Sequence, residues 1–175
     1  ILTIEGTNGT VAVVQNKDTV LSGVLTIPSS ISKELMTYSV VSVGDGAFSN
    51  CVNLTGVNIP DSVTRIGDNA FSNCSKLESI RISQKVTQIG TRTFYECRGL
   101  SNINIPDGVT RIGGGAFENC TGLTSITIPD SVAPFGAGAF GGCSSLTDAT
   151  LGNSLTNIGY YAFAGCSNLI CITIP

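Results

Sequence analysis

Leu54-Thr55-Gly56-Val57-Asn58-Ile59-Pro60-Asp61-Ser62-Val63-Thr64-Arg65-Ile66-Gly67-Asp68-Asn69-Ala70-Phe71-Ser72-Asn73-Cys74-Ser75-Lys76 is 23 residues long, and its pattern restarts at Leu77, Leu100, Leu123, Leu146 and Leu169. Phe48, Phe71, Phe94, Phe117, Phe140 and Phe163 keep that interval without a slip, and Cys51, Cys74, Cys97, Cys120, Cys143 and Cys166 follow three residues behind. A fixed period in the twenties is the mark of a solenoid, in which each repeat forms one coil stacked on the last. With the leucine as position 1, apolar residues recur at position 4 (Val57, Ile80, Ile103, Ile126, Ala149, Ile172) and position 6 (Ile59, Ile82, Ile105, Ile128, Leu151, Ile174). Alternation with period two predicts a half-buried strand with those positions inward. The phase places strands at 57–59, 80–82, 103–105, 126–128, 149–151 and 172–174 in one parallel sheet. Proline at position 7 ends most of them.

Positions 10 and 13 return to the core, and position 14 is always glycine: Gly67, Gly90, Gly113, Gly136 and Gly159. Such a glycine meets a backbone need, either positive φ or close approach to the next coil. Positions 17, 18 and 21, filled by Ala, Phe and Cys, match one face of a single helical turn. Residues 1–39 break the period. Ile1–Ile4 and Val11–Val14 flank Gly6-Thr7-Asn8-Gly9 as in a β-hairpin, and Val24–Pro28 reads as a first coil strand. An open solenoid end exposes core, so these residues suit a cap. In the fifth repeat Ala149 replaces isoleucine while Phe135 replaces it one coil earlier, a swap that keeps interior volume.

Leu-x-x-Ile-x-Ile-Pro-x-x-Val-x-x-Ile-Gly-x-x-Ala-Phe-x-x-Cys resembles the BspA-like, Treponema-type leucine-rich repeat of bacterial cell-surface proteins, over roughly residues 40–175. The fold expected is an α/β leucine-rich-repeat solenoid, a right-handed superhelix of 23-residue repeats. It has a parallel β-sheet on its concave face, short helical turns on its convex face and a β-hairpin N-terminal cap. Residues 1–39 are that cap and 40–175 the solenoid, whose C-terminal cap lies outside this chain. The resemblance implies an extracellular or cell-surface protein from which any signal peptide has been removed. It also implies adhesion to host or microbial surface proteins or glycans. The chain opens at Ile1 and stops at Pro175 within a repeat, which reads as a piece of something longer.

Charge narrows the partners. Net charge is -3, and the 9 Lys and Arg form no cluster, so nucleic acid and anionic membranes are poor matches. No apolar run approaches the ~20 residues of a membrane span. Six of the seven cysteines share one repeat position and are expected as buried, reduced thiols that pack as small hydrophobes.

Catalysis has little to work with. The chain lacks histidine, so a serine or cysteine nucleophile has no usual base, and histidine metal sites are excluded. Gly136-Ala137-Gly138-Ala139-Phe140-Gly141 matches a dinucleotide fingerprint in letters, but its glycines are repeat positions and no long helix follows. No cofactor is expected. Asp61, Asp107 and Asp130 share position 8, where one carboxylate per coil falls short of the six or more oxygens that calcium takes. Their expected task is a turn, with ion pairs Asp61–Arg65 and Asp107–Arg111 inside it.

The outward strand positions carry small polar groups. Asn58, Glu78, Arg81, Asn102, Asn104, Thr127, Asp148 and Thr150 are the candidate ligand surface. Tyr160 and Tyr161, at positions 15 and 16, with Ile170 and Cys171 at positions 2 and 3, form a second candidate contact patch, and an exposed end of this kind predicts end-to-end self-association. The reading is a non-enzymatic binding or adhesion module, and its rival is a rigid spacer presenting another domain.

Overall fold

The structure, a computed structural model, describes residues 2–5, 10–15, 20–33 and 35–174. Its strands are β1 (Leu2–Glu5), β2 (Thr10–Gln15), β3 (Ser22–Thr26), β4 (Ser30–Lys33), β5 (Met36–Val43), β6 (Asn53–Asn58) and β7 (Arg65–Ile66). They continue as β8 (Ser79–Arg81), β9 (Gln88–Ile89), β10 (Arg111–Ile112), β11 (Ser125–Thr127), β12 (Asp148–Thr150) and β13 (Cys171–Thr173). The coils stack as a β-solenoid of about six turns, stitched by parallel ladders.

The first ladder is the one that the alternation predicts. Val57 faces Ile80, and Ile126 faces Ala149, which faces Ile172, all parallel and one repeat apart. Val24–Thr26 pairs in parallel with β6 as the first coil strand. The ladder is not one sheet, however. It runs β3-β6-β8, stops, and resumes as β11-β12-β13. Residues 101–106 form no strand. Asn102 and Asn104 hold the outward positions there; asparagine is a poor strand former, though β6 accommodates Asn53 and Asn58.

A second ladder arises where the sequence suggested only a return to the core. β5, β7, β9 and β10 pair in parallel through Val43, Ile66 and Ile89 to Ile112. Beyond them it thins to single bridges, Ile112 to Phe135 and Phe135 to Ile158. Pro134 occupies the first position of the pair in that coil and has no N–H to contribute. β1 and β2 form the expected antiparallel hairpin, whose turn, 6–9, lies outside the described residues. β2 lies parallel to β5 at the head of this ladder, and β4 pairs antiparallel with β5.

The third side of the coil corrects the expectation of helical turns: no helix is present among the described residues. Position 16 is left-handed in six coils (Gly46, Asn69, Arg92, Gly115, Gly138, Tyr161), and so is position 20 (Asn50, Asn73, Glu96, Asn119, Gly142, Gly165). Left-handed residues interrupt right-handed helical bonding. Alternate N–H groups close tight turns, as Cys74 does onto Phe71 at 3.2 Å, while the others reach the following coil, as Phe71 does onto Thr93 at 2.9 Å. Position 14 settles on the second of its two alternatives. A Cβ at Gly113 would stand 2.5 Å from the Thr91 nitrogen, so close packing of coils demands glycine there.

Inside, the phenylalanines form an unbroken stack, with ring centroids 5.2 Å apart between Phe117 and Phe140 and 5.7 Å between Phe71 and Phe94. Each pair contributes ~0.5–1.5 kcal/mol beyond its burial. The thiols sit alongside. Cys74, Cys97, Cys120, Cys143 and Cys166 each donate S–H to the phenylalanine carbonyl of the preceding coil's spine, at 3.1–3.2 Å. That bond is weak, but it recurs at every step and explains why cysteine, and not another small hydrophobe, holds the position. Thr93, standing where other coils have alanine, is fully buried with its hydroxyl 2.9 Å from Gly90 O and 3.0 Å from Gly67 O.

Phe135 is buried and meets the spine edge-on, 5.7 Å from Phe140 and 6.0 Å from Phe163. Replacing it with alanine is expected to cost ~3–5 kcal/mol, as buried aromatic truncations do. Urea unfolding checks this, and a loss below ~1 kcal/mol would show that Phe135 is peripheral.

Candidate functional site

The break in the first ladder is also where a groove forms. It measures about 290 Å³ and is lined by Asn102, Asn104, Asp107, Ser125 and Thr127, with Ile103, Ile105 and Pro129 beneath. Three of the predicted surface residues, Asn102, Asn104 and Thr127, meet here. Asp107 was read from sequence as a turn residue and joins them. The only mark in the sequence is the asparagine pair itself, and it is a weak one, since Gly56 and Asn58 hold the same positions in β6 and still form a strand.

The other predicted surface residues are engaged elsewhere or flank the groove. Asn58 donates to the Thr26 hydroxyl at 3.3 Å. Arg81 bonds Asp61 at 3.2 Å and the Ile59 carbonyl at 3.2 Å. Asp148 accepts from the Thr147 hydroxyl at 2.6 Å. Glu78 precedes β8 and is exposed, and Thr150 ends β12.

The ion pairs expected within single turns are not formed. Arg65 reaches back to Asp45 at 3.0 Å, and Asp61 pairs forward with Arg81. None joins Asp107 to Arg111 among the described residues. Coils stand only ~4.8 Å apart, so a long side chain meets its neighbour's row as readily as its own turn. The pairs are exposed and contribute ~0–1 kcal/mol each. Carboxylates also cap backbone between coils: Asp130 accepts the Asn153 N–H at 2.7 Å, and that bond holds its carboxyl below the usual range. Among the described residues no group of three metal-ligating side chains converges.

At the far end, Tyr160 and Tyr161 are 85% and 81% exposed on the turn row, and Ile170 is 86% exposed just before β13. Tyr161 takes a left-handed φ of 59° there. Cys171 is exposed.

These elements repeat the BspA type leucine rich repeat region, which matches residues 28–141 and 116–175 in 6 copies. The chain belongs to this family. A leucine-rich repeat protein from Bacteroides ovatus is 32% identical with a TM-score of 0.72, covering 99% of this chain and 52% of that one. A leucine rich cell surface protein from Faecalibacterium prausnitzii is 31% identical with a TM-score of 0.77, covering 98% and 52%. The T. pallidum leucine rich repeat protein is 26% identical with a TM-score of 0.76, covering 96% and 87%. The chain thus spans about half the length of the first two. No curated protein is significantly similar to it. No helix among the described residues is long and apolar enough to cross a membrane.

The cysteines offer a chemical test of the fold. All seven are thiols, with Cys97 and Cys120 fully buried. Burial pushes Cys97 from 9.0 up to about 12 and Cys120 well above its ordinary value. Iodoacetamide at pH 8 should modify Cys171 first and half-buried Cys166 next, leaving Cys97 and Cys120 unlabelled until the chain unfolds. A thiol whose folded pKa is raised favours the folded state fully below its unfolded pKa and loses that contribution as pH rises through the folded value. The urea midpoint should therefore fall between about pH 9 and 12. Mass spectrometry of labelled peptides and unfolding curves across that range check both outcomes.

Proposed function

We propose that this chain is a non-enzymatic binding module of a bacterial cell-surface or secreted protein, engaging a surface protein or glycan of a host or another microbe. The observation that carries this reading is the groove at the interrupted ladder. Its rim is uncharged apart from Asp107, and it offers both donors and acceptors over an apolar floor of Ile103 and Ile105. Ligand sites are commonly concave, with a few convergent polar groups on apolar walls. The cell-surface description of the F. prausnitzii relative supports the location.

Matrix-protein and glycan arrays probed with the chain are expected to give a hit that Asn102→Ala with Asn104→Ala removes, while the thermal midpoint stays within a few degrees. A hit that survives the double substitution would move the site elsewhere. A second reading, a rigid spacer displaying another domain, is supported by the unbroken phenylalanine stack. Arrays negative throughout would favour it.

The exposed end supports a further part of this reading. β13 is the outermost strand of its sheet, with Ile172 in it 40% exposed and Ile174 just after it 67% exposed. Unpaired strand edges invite pairing, so copies should associate end to end. Light scattering at rising concentration should show it, and Ile170→Lys with Ile174→Lys should abolish it.

A further inference from the structure

The second ladder carries a different surface, and the chain itself contains a template for reading it. Arg65, Gln88 and Arg111 stand side by side on that ladder in register. Arg65 donates to the Asp45 carboxylate at 3.0 Å, a residue 20 positions earlier. The same oxygen accepts the Asp68 N–H at 3.0 Å and lies directly over Gly67. One carboxylate is thus held by a guanidinium, a backbone N–H and the empty space above a glycine.

Two coils later the same frame recurs without its anion. The residue 20 positions before Arg111 is Thr91, where Arg65 has Asp45. The three atoms nearest to a Cβ at Gly113 are backbone atoms of Thr91 and Gly90, where Gly67 has the Asp45 carboxylate nearest. Arg111 has no ion-pair partner among the described residues, and Gly114, the counterpart of Asp68, finds no acceptor for its N–H there. A groove of about 160 Å³ opens beside it, lined by Arg65, Asp68, Gln88, Thr91 and Arg111 with Gly90 and Gly113, the residue before Gly114, and in it Asp68 already accepts the Thr91 N–H at 2.7 Å.

We propose that this vacated position on the second ladder binds the carboxylate of an acidic sugar, a uronic-acid-type ring with one carboxylate and several hydroxyls. Arg111 and the Gly114 N–H take the carboxylate as Arg65 and the Asp68 N–H take that of Asp45. Asp68, Gln88 and Thr91 offer the acceptors and donors that ring hydroxyls need. A polyacidic peptide fits less well. Its further carboxylates would meet Asp45 and Asp68, in a chain that carries -3 net, whereas a uronate brings a single charge.

The test titrates the ¹⁵N-labelled chain with glucuronate, glucose, acetate and an N-acetyl-aspartyl peptide. Glucuronate is expected to shift the Thr91 and Gly114 amides, with glucose inert and acetate clearly weaker. Arg111→Gln should weaken glucuronate at least about tenfold, as loss of a charge-assisted bond implies. Thr91→Asp should abolish binding by supplying the missing carboxylate from within. Both positions are exposed, so the variants should keep the parent's thermal midpoint. Shifts absent, or unchanged in both variants, would overturn the site. Acetate or the peptide binding as tightly as glucuronate would overturn the sugar. The groove of Asn102 and Asn104 is untouched by either variant, so its standing is decided separately.

Discussion

The closeness of successive coils is the constraint on which the other features depend. Coils joined by backbone bonds on three sides cannot separate to make room, so a Cβ at position 14 would strike the coil before it. Glycine there lets the coils approach, and approach lets the turn-row N–H groups find carbonyls across the gap. The phenylalanine rings then stack, and the thiols reach the carbonyls behind them. A helix on this side would turn its N–H groups onto its own carbonyls and leave the neighbouring coil unbonded. The left-handed residues at positions 16 and 20 are the geometric means of avoiding that.

Much of this could be read in the amino acids. The strict interval of Phe and Cys located the stack and the thiol row, because identical side chains in successive coils must superpose. Positions 4 and 6 gave the register of the first ladder, because period two leaves few other ways to bury isoleucine. The left-handed positions were hidden, since Arg92 and Tyr161 hold a conformation more often given to glycine or asparagine. The second ladder was hidden too. Two-residue strands such as Arg65–Ile66 are too short to show alternation. The ion pairs misled for another reason: proximity in sequence at Asp61 and Arg65 competed with proximity across coils, and the latter won.

The site followed the same division. Its residues were recognisable as outward and polar, but their convergence was not, because a groove depends on where a ladder fails. The break coincides with Asn102 and Asn104, yet β6 carries Gly56 and Asn58 at the same positions without breaking. Such local defects leave no mark in an otherwise regular repeat except the identity of a few side chains.

Two thin places coincide between the coil holding Asn104 and the coil holding Thr127. The first ladder is missing there, and the second has shrunk to the bridge from Ile112 to Phe135. The turn row runs on through Gly115 to Ala137, Phe117 to Ala139 and Asn119 to Gly141, and the other two sides keep the bonds from Thr124 to Ser101 at 3.2 Å, Ala133 to Thr110 at 3.4 Å and Gly136 to Ile112 at 2.9 Å. The joint is thus lighter on its strand sides than its neighbours, yet every side of the coil is still fastened. A group lying in the groove would touch both coils of this joint, Asn102 and Asn104 on one side and Ser125 and Thr127 on the other, and so span the gap that the missing strand leaves.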